Sequence, residues 1–246
     1  MALRAGYVAL DSGKKQMKSF NKDWESKIYS KGLMINNYPY DLVVSLIAKN
    51  FFRIPRGERK NIKILDLGCG AGNHAKFIAE NGFKVYGIDG SNTVIKYCIK
   101  KFKKLGLKGN FIQGDFLNLP YDDNFFDCVL DRESLYANKF EDIKGVIGQV
   151  YSKLKTGGVF ISFIFNNFHP DIKLGEKVEP NSYNNFKLGS SFYNAGTAHF
   201  INLKEIKILF HRFKIENVMR HTLGEVYNQK NVLMQYDEYI IIAKKS

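Results

Sequence analysis

Cysteine is scarce in this 246-residue chain. The three that occur, Cys69, Cys98 and Cys128, are far apart, odd in number and without a CxxC spacing. That argues against a disulfide frame and against a thiolate zinc site. Histidine is nearly as sparse. His74, His169, His199, His211 and His221 form no HxxxH pair, so no metal centre is expected. No stretch approaches the roughly 18 apolar residues of a membrane-spanning helix, so no membrane association is expected. Residues 1–16 lack the apolar core of a secretory signal. Residues 1–13 read as a flexible leader, and the cytoplasm is the expected compartment.

Acidic residues are also in deficit, 24 against 37 basic ones, for a net charge of +13. Only seven of the basic residues are Arg, the better bidentate reader of phosphate and guanine. A Lys-dominated excess reads as a solvated surface. The excess is uneven, with 12 basic and 5 acidic residues before position 61. An anionic small substrate suits that surplus as well as RNA does. A further lysine run (Lys96, Lys100, Lys101, Lys103, Lys104, Lys108) falls on or after a predicted helix, away from the expected site.

What is present is an alternation. Residues 15–30 read as a helix with Phe20, Trp24 and Ile28 on one side. Residues 39–52 read as another, with Pro39 in the first turn. Short apolar runs at 62–67, 83–88, 110–113, 125–130 and 159–165 read as strands. Helices at 73–81, 91–105 (with Ser91 as N-cap) and 140–154 separate them. Strands alternating with helices at this spacing predict right-handed βαβ units and a parallel sheet. Residues 166–198 lack periodicity and read as a long functional loop. A short helix at 202–210 and strands at 213–221 and 234–243 close the chain, joined by a turn around 224–231.

The sharpest motif runs from Asp66 to His74: Asp66, Leu67, Gly68, Cys69, Gly70, Ala71, Gly72, Asn73, His74. Three glycines at alternating positions lie between a strand and a helix. Glycine permits backbone angles that other residues avoid, and lets a ligand approach the main chain. The helix start beyond offers free N–H groups. Asp89, closing the next strand, is placed to accept from ribose hydroxyls. A dinucleotide dehydrogenase would carry glycine at position 73, where this chain has Asn.

The DxGxGxG pattern resembles motif I of class I S-adenosylmethionine-dependent methyltransferases. The likeness continues through residues 85–91 (VYGIDGS), 113–116 (QGDF), 125–136 (FFDCVLDRESLY) and 154–160 (LKTGGVF). The family implies an α/β, Rossmann-like, seven-stranded, mostly parallel sheet with a reversed last strand and helices on both faces. It implies one methyltransferase domain over 14–246, with an N-terminal helical cap (14–52) and an insert after strand five (166–198). S-adenosyl-L-methionine is then the cofactor and S-adenosyl-L-homocysteine the product. The resemblance assigns Asp66 to orienting the glycine turn and Gly68, Cys69, Gly70 and Gly72 to the amino-acid part. Asp89 goes to the ribose, and Gly90, Ser91, Asp115 and Phe116 to the adenine. Asp131 and Arg132 stand beside the methyl donor, with Asn73, His74 and Tyr29 completing the cofactor set.

For the acceptor, the cap (Trp24, Tyr29, Asn37, Tyr38) and the insert (Tyr183, Phe192, Tyr193) are the expected walls, closing as a lid. His169, His199 and Tyr136 are the candidate catalytic residues, histidine because it titrates near neutrality. The chain has Asp131-Arg132-Glu133-Ser134 where nucleic-acid amino methyltransferases carry an Asn/Asp-Pro-Pro-aromatic motif. The expected acceptor is a small molecule, with the oxygen of a sugar or polysaccharide precursor as the narrower expectation. A tRNA or rRNA methyltransferase is the alternative, and a non-catalytic binding protein a third.

Overall fold

Seven strands lie side by side in the order Asn110–Gln113 (β3), Lys84–Asp89 (β2), Lys63–Leu67 (β1), Phe126–Arg132 (β4), Leu154–Phe165 (β5), Gln235–Lys245 (β10) and Phe213–Gly224 (β9). The computed structural model describes residues 22–225 and 235–246. The first five run parallel, and β10 is antiparallel to both of its neighbours. This is the mostly parallel, last-strand-reversed sheet that the alternation and the family resemblance imply.

The helices are α1 (Asp41–Phe51), α2 (Asn73–Glu80), α3 (Asn92–Leu105), α4 (Phe140–Lys153) and α5 (Leu203–Leu209). Two apolar layers hold them on the sheet. One joins Val43, Ile47, Ile78, Ile95 and Phe102 of α1–α3 to Ile64, Val85 and Cys128. The other joins Ile143, Val146, Ile206 and Leu209 of α4 and α5 to Leu65, Val129 and Phe160. Each such side chain contributes about 1.5–3 kcal/mol when fully buried. Ser91 caps α3, its hydroxyl accepting from the Val94 amide at 3.2 Å. Asn202 and Glu205 form a reciprocal capping box on α5.

Two elements differ from the sequence expectation. β5 begins at Leu154 rather than near 159, because Leu154 already pairs with Phe126 before an irregularity carries the register to Cys128 and Val159. The insert is not a bare loop. It holds β6 (Glu176–Glu179), β7 (Ser182–Asn184) and β8 (Ala198–His199) in a small antiparallel sheet. Strands of two to four residues are too short to show a period. Phe186, Phe192 and Phe200 of this segment are buried in the main core, which fixes it against the sheet. At the N-terminus, Trp24–Ile28 and Tyr29–Lys31 form irregular helical turns. The leader at 1–13, the start of the cap and most of the turn around 224–231 lie outside the described residues. No helix among the described residues is long and apolar enough to cross a membrane.

Candidate active site

The carboxyl ends of β1, β2, β4 and β5 open into a cavity of about 660 Å³. Its floor is the glycine turn. Gly68, Gly70 and Gly72 have φ of +72°, +47° and +71°, angles that favour glycine. The three are not equivalent. A Cβ on Gly68 would stand 2.3 Å from Ser134 Cβ, and one on Gly72 2.7 Å from Cys98 Sγ. A Cβ on Gly70 would meet nothing nearer than Tyr29 Oη at 3.5 Å, so this residue offers bare backbone to the cavity. The amides of Gly68 and Cys69 both bond the Ile88 carbonyl, tying the turn to β2.

Four buried or half-buried acids shape the surroundings. Asp66 accepts from the Ala75 amide at 3.1 Å, joining β1 to α2 across the turn. Burial pushes its carboxyl up to about 7, against that hydrogen bond. Asp89 accepts from the Gly70 amide at 3.0 Å and the Ser91 amide at 2.8 Å, and it lines the cavity. Burial pushes it up to about 6. Asp115 accepts from the Leu117 amide at 3.0 Å and holds the turn that presents Phe116 to the cavity. Asp131 is fully buried and receives bonds from the Ser134 amide, Leu135 amide and Ser162 hydroxyl. Burial raises its pKa despite them. It thus fixes the chain reversal after β4 rather than lining the cavity.

Cap and insert form the walls. Trp24, Ile28, Tyr29, Leu33, Met34 and Asn36 come from the cap. Phe192, Tyr193 and Ala195 come from the insert, with Phe165 and Tyr236 between. Tyr136 stands edge-on to Phe165 and Phe192, with centroids at 4.7 Å and 5.5 Å. The cap is tied down at two points. Glu25 bonds Ser91 and Thr93 at the start of α3. Lys101 Nζ bonds the Asn36 carbonyl at 3.3 Å and the Ala71 carbonyl at 2.8 Å. One member of the lysine run therefore reaches the glycine turn, which the sequence reading placed away from the site. Asn37, Tyr38 and Tyr183 of the expected walls do not line the cavity, and Tyr38 is 81% exposed.

The expected acid–base residues separate in three dimensions. His169 is buried in an aromatic nest of Phe165, Phe192 and Phe200. Its Nδ1 accepts from the Asp171 amide at 3.2 Å, and burial lowers its pKa. His199 is fully buried, with Nδ1 2.9 Å from Ser182 Oγ and Nε2 3.4 Å from Glu205 Oε2. Neither imidazole lines the cavity. Both sit inside the packing that holds the insert, so the structure does not place them where an acceptor would react. Tyr136 does line it, but burial pushes its hydroxyl far above the usual range. Cavity-lining His74 is held at about 3 by burial and by Arg132, so it is neutral. Asn73 lines the cavity as well, and bonds the Tyr38 carbonyl at 2.9 Å.

Sequence reasoning missed Glu133 as a site residue. It lines the cavity with a left-handed φ of 55° and pairs with the cavity-lining Arg132. The available signal was four polar residues, Asp131–Ser134, closing an apolar strand, which also reads as a solvated charge run.

The cavity suits S-adenosylmethionine. Bare backbone at Gly70 and the carboxylate of Asp89, which accepts from the Gly70 amide, line it side by side. Trp24 Nε1 is buried there without a hydrogen-bond partner, a donor left for a ligand. Gly68, Cys69, Gly70, Ala71, Asp89 and Phe116 are the residues that would hold it.

A methyltransferase-domain family model matches residues 58–218. Sterol 24-C-methyltransferase of Schizosaccharomyces pombe is 36% identical over 108 residues, covering 42% of this chain and 28% of that protein. Sterol methyltransferase-like 2 of Botryococcus braunii is 31% identical over 163 residues, covering 55% and 41%. The chain therefore spans less than half the length of these curated relatives. Two solved structures share the fold. A SAM-dependent methyltransferase of Methanosarcina mazei superposes with a TM-score of 0.64 at 24% identity, covering 74% of this chain and 92% of that one. The 1,6-didemethyltoxoflavin-N1-methyltransferase of Burkholderia thailandensis, solved with 1,6-didemethyltoxoflavin and S-adenosylhomocysteine, gives 0.60 at 16% identity, covering 84% and 77%. The chain belongs to the methyltransferase-domain family, and so to the class I S-adenosylmethionine-dependent superfamily.

Proposed function

We propose that this member of the methyltransferase-domain family transfers a methyl group from S-adenosylmethionine to a small-molecule acceptor. One observation carries the reading: the same cavity is lined by the glycine turn and Asp89 and by a set of aromatic side chains from the cap, the insert and the strand ends. Its volume of about 660 Å³ falls within the usual range of small-molecule sites. When bound, the cofactor supplies a methyl group on a cationic sulfonium whose leaving group is already activated. The chain's own contribution is then chiefly positioning and exclusion of water. Asp89 and the turn hold the ligand, and the cap covers it. Aromatic faces and carboxylates nearby suit a cationic centre.

Tyr136, Phe165, Phe192, Tyr193 and Tyr236 favour an acceptor with a flat or apolar body. The sterol-named relatives and the toxoflavin-named structural neighbour support a ring-bodied molecule. The sugar oxygen has less support, since neither the sterol-named relatives nor the toxoflavin-named neighbour carries a sugar in its name. The surplus of basic residues before position 61 keeps an anionic acceptor within the proposal. Three buried free thiols support a reducing, cytoplasmic compartment.

Titration calorimetry with S-adenosylhomocysteine, followed by label transfer from methyl-labelled cofactor into a metabolite extract, tests the reading. Binding and a labelled small molecule are expected, both weakened in Asp89→Ala. Absence of binding overturns it. Label appearing in RNA, with an affinity that falls steeply with salt, would favour the RNA alternative. Binding without transfer to any acceptor would favour a non-catalytic protein.

A further inference from the structure

Two carboxyl groups face one guanidinium beside the cavity. Arg132, at the end of β4, lies over the Tyr40 ring at 4.2 Å. Its Nη1 contacts Glu133 Oε1 and stands 3.8 Å from Glu238 Oε2. Glu133 lines the cavity, and its amide bonds the Phe163 carbonyl at 3.1 Å, pinning a left-handed residue in place. Such a conformation on a non-glycine residue is costly, and such residues cluster at functional sites. Glu238 is fully buried on β10. Its cross-strand partner is His221 on β9, whose Nδ1 lies 3.1 Å from Glu238 Oε1 and 3.4 Å from Tyr40 Oη.

The charge count is unbalanced. Among the described residues Arg132 is the one permanent cation against two buried carboxylates, and with His221 neutral full ionisation would leave a negative charge uncompensated. We infer that Glu133 and Glu238 share one proton across Arg132, and that Glu133 exchanges it with an acceptor bearing an ionisable O–H or N–H. This rests on the methyl-transfer reading and deepens it by naming a protic acceptor. Burial pushes both carboxyls well above the usual carboxylate range, with Arg132 opposing the rise in each. From β4, Asp131 also faces the group, and Tyr136 follows it in the next turn. Tyr40 approaches from the start of α1, and His74 on α2 faces Arg132. Asp237 adjoins Glu238 on β10.

The step balances as follows. The sulfur–methyl bond breaks and its electron pair stays on sulfur, giving a neutral thioether. The acceptor oxygen or nitrogen forms the new bond to carbon. Its proton passes to the Glu133 carboxylate, the state in which Glu238 carries the shared proton. Solvent takes a proton from the pair before the next turnover.

Carboxyl-¹³C glutamate labelling of the whole chain, assigned with Glu133→Gln and Glu238→Gln, tests the proton directly. One carboxyl step near neutral pH is expected in the parent protein. In Glu238→Gln the Glu133 step should move to lower pH by at least about one unit, because a single carboxylate then faces Arg132. With the acceptor recovered by label transfer, kcat should rise through neutral pH. Glu238→Gln should carry that limb to lower pH while KM for the cofactor holds, which a merely structural role would not do. Glu133→Gln should lower kcat on the order of 10²-fold or more. Two ionised carboxylates beside a protonated His221 overturn the inference, as does an acceptor without an exchangeable proton. Failure of S-adenosylhomocysteine to bind would instead strike the methyl-transfer reading, because the carboxyl titration is read without ligand.

Discussion

The carboxylate of Glu25, in the cap, accepts a hydrogen bond from the hydroxyl of Ser91, the residue that caps α3. Ser91 is itself held to Asp89 through its amide at 2.8 Å. One side chain thus links the cap to Asp89 and the glycine turn. Burial would raise the Glu25 pKa, but hydrogen bonds from Ser91 and Thr93 outweigh it and hold the carboxyl below the usual range.

Glu25→Ala should loosen the cap by about 1.5–3 kcal/mol, the scale of hydrogen bonds to a charged group. Trp24 is the only tryptophan in the chain and lines the cavity, so its emission reports the change. A red shift and a several-fold loss of S-adenosylhomocysteine affinity are expected. Unchanged emission and affinity would show that the cap is held by its apolar contacts alone.

The glycines should separate folding from binding. Gly68→Ala forces a Cβ to 2.3 Å from Ser134 Cβ, so the melting temperature should fall sharply. Gly70→Ala meets open space, apart from Tyr29 Oη at 3.5 Å. It should cost about 1–2 kcal/mol for the left-handed backbone. Its larger effect should be on cofactor affinity, because the methyl group projects into the cavity. Comparable thermal losses in the two variants would contradict this division.

Asp89 should give cofactor binding a pH limb. Burial holds its carboxyl at about 6, and the ionised form is the better acceptor for ribose hydroxyls. Affinity measured by calorimetry should therefore rise with pH up to about 6 and level off above. Asp89→Ala should lower affinity by about 10–100-fold, the equivalent of about 1.5–3 kcal/mol. A flat pH profile in the parent protein would exclude Asp89 as the titrating contact.

Stability should fall as pH rises. The Asp66 carboxyl stands at about 7 in the folded chain, above its unfolded value near 3.9. A raised acid contributes stability fully below about pH 4 and loses it through about pH 7, on the order of 4 kcal/mol in all. Urea unfolding at pH 5 and pH 8 should show the decline. Asp66→Asn, which can still accept from the Ala75 amide, should flatten it. An unchanged slope in the variant would assign the decline to the other buried acids.

Much of the frame was legible because its signals are local. Apolar runs such as Ile64-Leu65 bounded by turn residues mark strands, and Ser91 marks a helix start, from a few neighbouring positions. The Asp66–Gly72 turn and Asp89 were legible for the same reason: backbone angles and strand ends are set within a short stretch. The insert was not, because β6–β8 are too short for periodicity and its Phe192 is ordered by contacts with Phe165 and Tyr136. His169 and His199 carry the right chemistry for proton transfer, and nothing in their neighbours along the chain shows that packing buries both.

The sequence by itself determined the order of strands and helices along the chain, the glycine turn and the acidic residue that closes β2 beside it. The tertiary structure decided which charged groups meet beside the cavity. Glu133, Glu238 and His221 lie on different parts of the chain and converge only because β10 inserts antiparallel between β5 and β9. That convergence sets the proton affinity of the two carboxyls, which depends on burial and on the charges a few ångströms away, neither of which is encoded at any one position.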